Sequence, residues 1–265
     1  MVVNSMFDVK KLILLGLVVS LVAFSGCTED QASAESSMTM KEGILVVGTD
    51  PTFPPFEEKN ADGELVGFDI DLMKALGEKM GLEIQFVEQP FDGIIPALKA
   101  EKFDCIISAV TITDDRAKEV AFTNSYFDAA QVIAVLVDDE SVQSVDDLAG
   151  KVVAAQLGTT GEYEAQHYAE ELGFEIKSYE VMADAFIDME NGRVDAVVTD
   201  DGVAQRFLDT KPGFYKVVGE PMTAESYGLA ANLDNQELID ALNAALSEVK
   251  EDGTYDEIYA EWFDN

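Results

Sequence analysis

From residue 43 onward, short apolar runs rich in β-branched residues alternate with segments whose apolar positions recur at helical spacing. Residues 44–47 predict a strand, followed by a proline-rich loop at 51–56. Leu72, Met73, Leu76 and Met80 then mark one face of a helix, with Asp69 as its candidate N-cap and Gly81 as its stop. Residues 84–87 predict a second strand, Ile94, Ile95 and Leu98 a second helix, and 105–109 a third strand. Strands alternating with helices imply right-handed crossovers onto a mainly parallel sheet, so the fold class is α/β.

The rhythm then starts again. Residues 152–155 predict a strand, 161–172 a helix, 176–179 a strand, 183–191 a helix and 194–198 a strand. Between the two sets lies an apolar stretch, 129–137 (AAQVIAVLV), longer than the other strands. A further extended stretch at 227–231 leads into helices at 235–250 and 254–263. Two arrangements satisfy this pattern: two lobes joined by two crossing strands, or one doubly wound domain of about this size.

The N-terminus follows a different rule. Lys10 and Lys11 precede an apolar run at 12–24, broken only by Gly16 and Ser20. That run has the length of a signal-peptide core and is shorter than the ~20 residues of a spanning helix. It ends in Ser25-Gly26-Cys27 and resembles a bacterial lipoprotein signal, which implies cleavage after residue 26 and lipidation of Cys27. An ordinary signal peptide with an incidental cysteine is the alternative. Either way the body of the chain is expected outside the cytoplasm. Residues 27–42 are polar, small and aperiodic beyond the cysteine, and predict a flexible tether.

Charge narrows the functional classes. The chain carries 52 acidic and 17 basic side chains, net −35, with 48% hydrophobic residues and enough apolar material for sizeable cores. Such a surface repels a phosphate backbone, so a nucleic-acid partner is not expected. Two cysteines, Cys27 and Cys105, and the single His167 provide neither a disulfide framework nor a metal set, and no cofactor is expected. Cleavage before Cys27 removes Asp8, Lys10 and Lys11 and leaves a net −36. Self-repulsion of that size is screened at about 1 M salt, where the Debye length is about 3 Å, and this predicts a salt-loving host. A merely acidic extracellular protein is the alternative.

A zwitterionic amino acid would need a guanidinium and helix-start N–H groups for its carboxylate, and an acidic group with further acceptors for its ammonium. In an open α/β sheet these groups belong just beyond the carboxyl ends of strands. Thr111-Ile112-Thr113-Asp114-Asp115-Arg116, Gln156-Leu157-Gly158-Thr159-Thr160-Gly161 and Thr199-Asp200-Asp201 occupy such places. Each has an ordinary alternative. Arg116 can pair with Asp114 or Asp115 at the surface, Asp200 can cap a helix, and the glycine-containing segment can be a plain strand-to-helix turn.

The segments TDPTFPPFE (49–57), GFDIDLMKAL (67–76), FDGIIPAL (91–98), TITDDR (111–116), QLGTTGE (156–162), NGRVDAVVTD (191–200) and DGTYDEIYAEWF (252–263) together resemble the polar-amino-acid-binding proteins of ABC importers. These are solute-binding family 3, and the resemblance covers about residues 43–264. It implies a two-lobed, type II periplasmic-binding-protein-like fold hinged on two crossing strands. Lobe 1 would be 43–132 with 228–265, and lobe 2 would be 133–227. Arg116 would clamp the ligand carboxylate with backbone N–H groups at Thr159 and Thr160. Asp200 would hold the ammonium, with the Thr111 hydroxyl and the Ala109 carbonyl as further acceptors. Phe53 and Phe91 would sandwich the side chain, and Asp50, Glu57 and Gln156 would face its tip.

Two departures are visible. Ala109 stands where the family often has Gly or Ser, which leaves a carbonyl contact intact. Gln156 and Thr199 stand where the glutamine-binding members carry Lys and His, which argues against strict glutamine specificity. Acidic Asp50 and Glu57 near the tip favour an amide or a cationic side chain, such as glutamine, arginine or lysine. The implied protein is a monomeric lipoprotein that hands its ligand to an ABC permease. A cyclohexadienyl dehydratase-like enzyme on the same architecture is the competing reading, with Glu57 as its candidate general acid.

Overall fold

The computed structural model describes residues 38–264. The predicted leader, Cys27 and the first part of the predicted tether lie outside them. Residues 38–42, the described end of that tether, are fastened to the body through Met38 and Met40. The Met38 carbonyl accepts from Asn235 Nδ2 (3.0 Å), and Met40 N–H donates to Asp104 Oδ1 (2.6 Å). Among the described residues no helix is long and apolar enough to cross a membrane.

The described chain builds two five-stranded sheets with one design. In the first, Ile44–Thr49 lies between Glu83–Glu88 and Cys105–Ile106, all parallel. Ala230–Asn232 and Val120–Phe122 complete it antiparallel. In the second, Val152–Gln156 lies between Glu175–Tyr179 and Ala196–Asp200, again parallel. Gln131–Leu136 and Tyr215–Val218 complete that sheet antiparallel. The expectation of mainly parallel sheets therefore holds for three adjacent strands on one side of each sheet only. The returning chain enters each sheet from the opposite end, which reverses the remaining pairings.

The inner strands read as continuous apolar runs because both their faces are covered. Leu45, Val46 and Val47 are all buried, as are Val153, Ala154 and Ala155. The helix Phe68–Met80 packs Leu72, Met73 and Leu76 onto the first sheet and ends where Gly81 takes a left-handed φ of 67°, as predicted. Its N-cap is Gly67, not Asp69. Asp69 is fully buried and serves a different purpose, described below.

The sheets are linked by a short antiparallel ladder in which Phe127–Ala129 pairs with Glu225–Tyr227. An aromatic cluster surrounds that ladder. The Phe56 ring lies edge-on to Phe127 (4.9 Å) and Tyr227 (5.2 Å), and Phe263 of the helix Thr254–Phe263 sits 5.0 Å from Phe127. Edge-to-face contacts among buried rings are directional. They fix how the linking strands lie, and so where the loops from each sheet meet.

Candidate functional site

Loops leaving the carboxyl ends of the inner strands of both sheets converge on one tight, partly enclosed cavity. Asp50, Phe53, Phe91, Ala109, Thr111 and Arg116 line it from the first part of the chain, and Gln156, Thr159, Thr160 and Asp200 from the second. Of the predicted site residues, only Glu57 is absent from the lining.

Arg116 opens the short turn Arg116–Lys118, where Thr113 Oγ1 accepts its backbone N–H (3.1 Å). Its guanidinium is held by carbonyls, not by a carboxylate. Nη1 donates to Thr111 O (2.9 Å) and Nη2 to Gly158 O (3.1 Å). The predicted surface pairing is taken by Lys118, which bridges to Asp115 at 2.6 Å. Burial lowers the Arg116 pKa, while Asp200 and Glu225 act in the opposite sense. A guanidinium stays protonated under such a shift, so a fixed cation faces the cavity.

Asp200 ends the strand Ala196–Asp200 and occupies the N-cap position of the helix Asp201–Thr210, but its side chain makes no capping bond. Its carboxylate accepts from the Tyr227 hydroxyl instead (2.6 Å). The group is 4% exposed, and burial pushes its pKa up to about 7, against the Tyr227 bond. Close to neutral pH, a positive charge placed beside it would fix it as the anion.

Thr159 caps the helix Thr160–Leu172, its hydroxyl accepting Glu162 N–H (3.2 Å). The Thr159 N–H turns back onto Gln156 O (3.3 Å). Thr160 N–H is the first of the helix and belongs to the groups that a helix leaves without an intrahelical acceptor. Gly158 has a φ of 79°, and a Cβ there would lie 3.0 Å from Asp92 Cα. A bare backbone lets this turn approach the Phe91–Gly93 turn of the other half.

At the far end, Asp50 Oδ2 accepts from Phe91 N–H and Gln156 Nε2, both at 3.1 Å. Burial raises the Asp50 pKa to about 6 in spite of these donors. The Gln156 amide also donates to Thr52 Oγ1 (3.1 Å) and Glu180 O (3.0 Å), which makes it a link between the halves. Phe53 is buried, and Phe91 carries Arg116 Cζ 5.4 Å above its ring. The cavity therefore sets the Arg116 cation against the carboxyls of Asp200 and Asp50, with Phe53 and Phe91 among its walls.

The model of the bacterial extracellular solute-binding proteins, family 3, matches residues 45–265. The chain belongs to that family. This solute-binding protein is 38% identical over 264 residues to the histidine-binding periplasmic protein of Escherichia coli (strain K12), covering 96% of this chain and 97% of the relative. It is 40% identical over 223 residues to the ABC transporter arginine-binding protein 1 of the same strain, covering 82% of this chain and 89% of the relative. It also matches the structure of an ancestral arginine-binding protein bound to arginine, with a TM-score of 0.81 and 46% identity. That match covers 83% of this chain and 98% of the other. The fold is the two-lobed one of these periplasmic amino-acid-binding structures.

Glu57 of the solute-binding protein lies behind the cavity wall. Its carboxyl is fully buried, accepts from Ser108 Oγ (3.0 Å) and shares a hydrogen bond with Asp69. Asp69 accepts from Ala109 N–H (2.7 Å) and the Tyr126 hydroxyl (2.8 Å). Burial raises both carboxyls, and Asp69 adds to the shift of Glu57. With two donors to Asp69 and one to Glu57, a proton shared by the pair belongs on Glu57. Sequence reasoning missed this function of Asp69, although a carboxylate between Phe68 and Ile70 on a buried helix face was its visible trace. Tyr227, the hydrogen-bond partner of Asp200, left no such trace.

Proposed function

We propose that this solute-binding protein captures a polar α-amino acid outside the cytoplasm and delivers it to the permease of an ABC transporter. The observation that carries the reading is one cavity lined by Arg116 from one half and Asp200 from the other, with aromatic residues among its walls. Arg116 and Thr160 N–H take the carboxylate. Asp200, the Thr111 hydroxyl and the Ala109 carbonyl take the ammonium. Phe53 and Phe91 flank the side chain, and Asp50 with Gln156 meets its tip. An anion at the tip favours a cationic side chain, and the likeness to arginine- and histidine-binding proteins supports arginine as the first ligand to test.

The lobes are 43–132 with 228–265, and 133–227, and the paired strands Phe127–Ala129 and Glu225–Tyr227 are the hinge. Cys27 carries a lipid that holds a monomer at the membrane surface. The protein is a receptor and not a dehydratase: Glu57, the acid the sequence suggests for that chemistry, faces Ser108 and Asp69 and is not part of the cavity lining. Incubation with prephenate or arogenate is expected to give no turnover, and product formation would overturn that assignment.

Calorimetry against the twenty amino acids tests the reading directly. Arginine is expected to bind with a dissociation constant near the micromolar range, about −8 kcal/mol. Arg116→Ala is expected to remove at least about 3 kcal/mol of that, the scale of a buried charge-assisted pair, while the circular dichroism melt stays cooperative. Unchanged affinity in this variant refutes the carboxylate clamp.

A further inference from the structure

Glu225 lies outside the cavity lining and outside every motif singled out in the sequence, yet its carboxylate gathers donors from separate parts of the molecule. Oε2 accepts from Thr111 Oγ1 and Thr160 Oγ1, each at 2.8 Å, and more distantly from Gln131 Nε2 at 3.4 Å. Oε1 accepts from Thr223 Oγ1 at 2.9 Å. The two threonine hydroxyls are themselves 3.3 Å apart.

These donors do not travel together. Thr111 belongs to the loop after the strand Cys105–Ile106 and is tied by its backbone to the linking strand. Ile112 N–H donates to Ser226 O (2.8 Å), and Thr111 forms a bridge with Tyr227. Thr160 begins the helix that follows the strand Val152–Gln156 of the other sheet. A hinge motion that parts the two sheets' loops separates Thr111 from Thr160, so Glu225 can hold both hydroxyls only while the loops meet. A hydrogen bond made in only one of two conformations shifts the balance between them by its full differential strength.

We propose that Glu225 is a positioning residue that clasps the closed form, with Thr111 Oγ1 and Thr160 Oγ1 as the two donors that meet on it only when the loops meet. The inference rests on the binding reading above, because it names how that cavity is held shut. Its carboxylate stays off the ligand, so its effect is on the closed population and the dissociation rate. Glu225 also places a negative charge near Arg116 and Asp200. The variants must therefore separate that charge from the hydrogen bonds.

Glu225→Ala removes both, whereas Glu225→Gln keeps an oxygen that accepts the same hydroxyls. Small-angle X-ray scattering on the ligand-free protein is expected to give a larger radius of gyration for Glu225→Ala than for the parent, with Glu225→Gln close to the parent. Stopped-flow release of arginine is expected to be about tenfold faster or more in Glu225→Ala, as for loss of a hydrogen bond to a charged group. Thr160→Val keeps the backbone N–H and loses only the hydroxyl, so it reports on the clasp if Glu225→Ala fails to fold. In the double variant the two effects are expected not to add. Parent-like scattering and parent-like release in both single variants would overturn the clasp. A parent protein that binds no amino acid defeats the receptor reading instead, and the scattering comparison still decides the clasp without ligand.

Discussion

Asp200 shows how one side chain ties burial to function. A carboxyl with a pKa near its usual value would greet an ammonium as an anion at any physiological pH. Burial has raised it to about 7 in spite of the Tyr227 hydrogen bond, so part of the ligand-free population is protonated at neutrality. The ligand's ammonium favours the ionised form, and binding therefore expels a proton from that fraction. The sign follows: affinity is full above about pH 7 and falls as the pH drops through that value, by up to about tenfold per unit. Asp50, raised to about 6, extends the loss further for a ligand with a cationic tip. Calorimetric titration of arginine from pH 8 to pH 5 is expected to show this decline. Asp200→Asn is expected to bind weakly throughout and to have a flatter profile above pH 6. A decline in Asp200→Asn as steep as in the parent would contradict the assignment.

At the scale of elements, the turn after the strand Cys105–Ile106 is the instructive case. The apolar run 105–109 predicts a strand along its whole length, but the ladder stops at Ile106. Ala109 has a φ of 46°, and its N–H points to the buried Asp69. A side chain in the left-handed region costs about 1–2 kcal/mol, and nothing in a run of apolar letters announces it. Ala109→Gly is expected to stabilise the protein by about 1 kcal/mol in urea denaturation with arginine affinity retained, because glycine adopts that backbone without strain. The helix pattern, by contrast, was legible almost to the residue: Gly81 ends the helix at Met80, and the predicted helix 161–172 is Thr160–Leu172. Periodicity reports which face is buried and so finds helices. It does not report which polar groups a fold carries inside, and Asp69 was read as a cap for that reason. The cavity residues were legible through short motifs at strand ends. Glu57 lies outside the lining, and a spacing along the chain cannot tell the wall of a cavity from the layer behind it.

For the whole molecule, the acidic excess is the dominant long-range quantity. With a formal charge of −35, the folded state concentrates repulsion that the extended chain relieves. The proposed salt-loving character predicts a melting temperature that climbs from dilute buffer to molar NaCl, as the Debye length shrinks to about 3 Å. A flat melting curve across that range, followed by circular dichroism, would remove the proposal. Surface ion pairs such as Lys59–Glu88 and Lys99–Glu119 are exposed and contribute little, so their screening by salt does not offset the gain.

The bond between the Gln156 amide and Asp50 gives the receptor an internal competitor. Any side chain that reaches the tip must outbid an amide already in place, and a cation can do so where a methyl group has nothing to offer. Glycine and alanine would leave that bond in place and gain nothing from Asp50: the protein's own glutamine stands in for cargo, and only a guest with a better claim on that carboxylate would displace it.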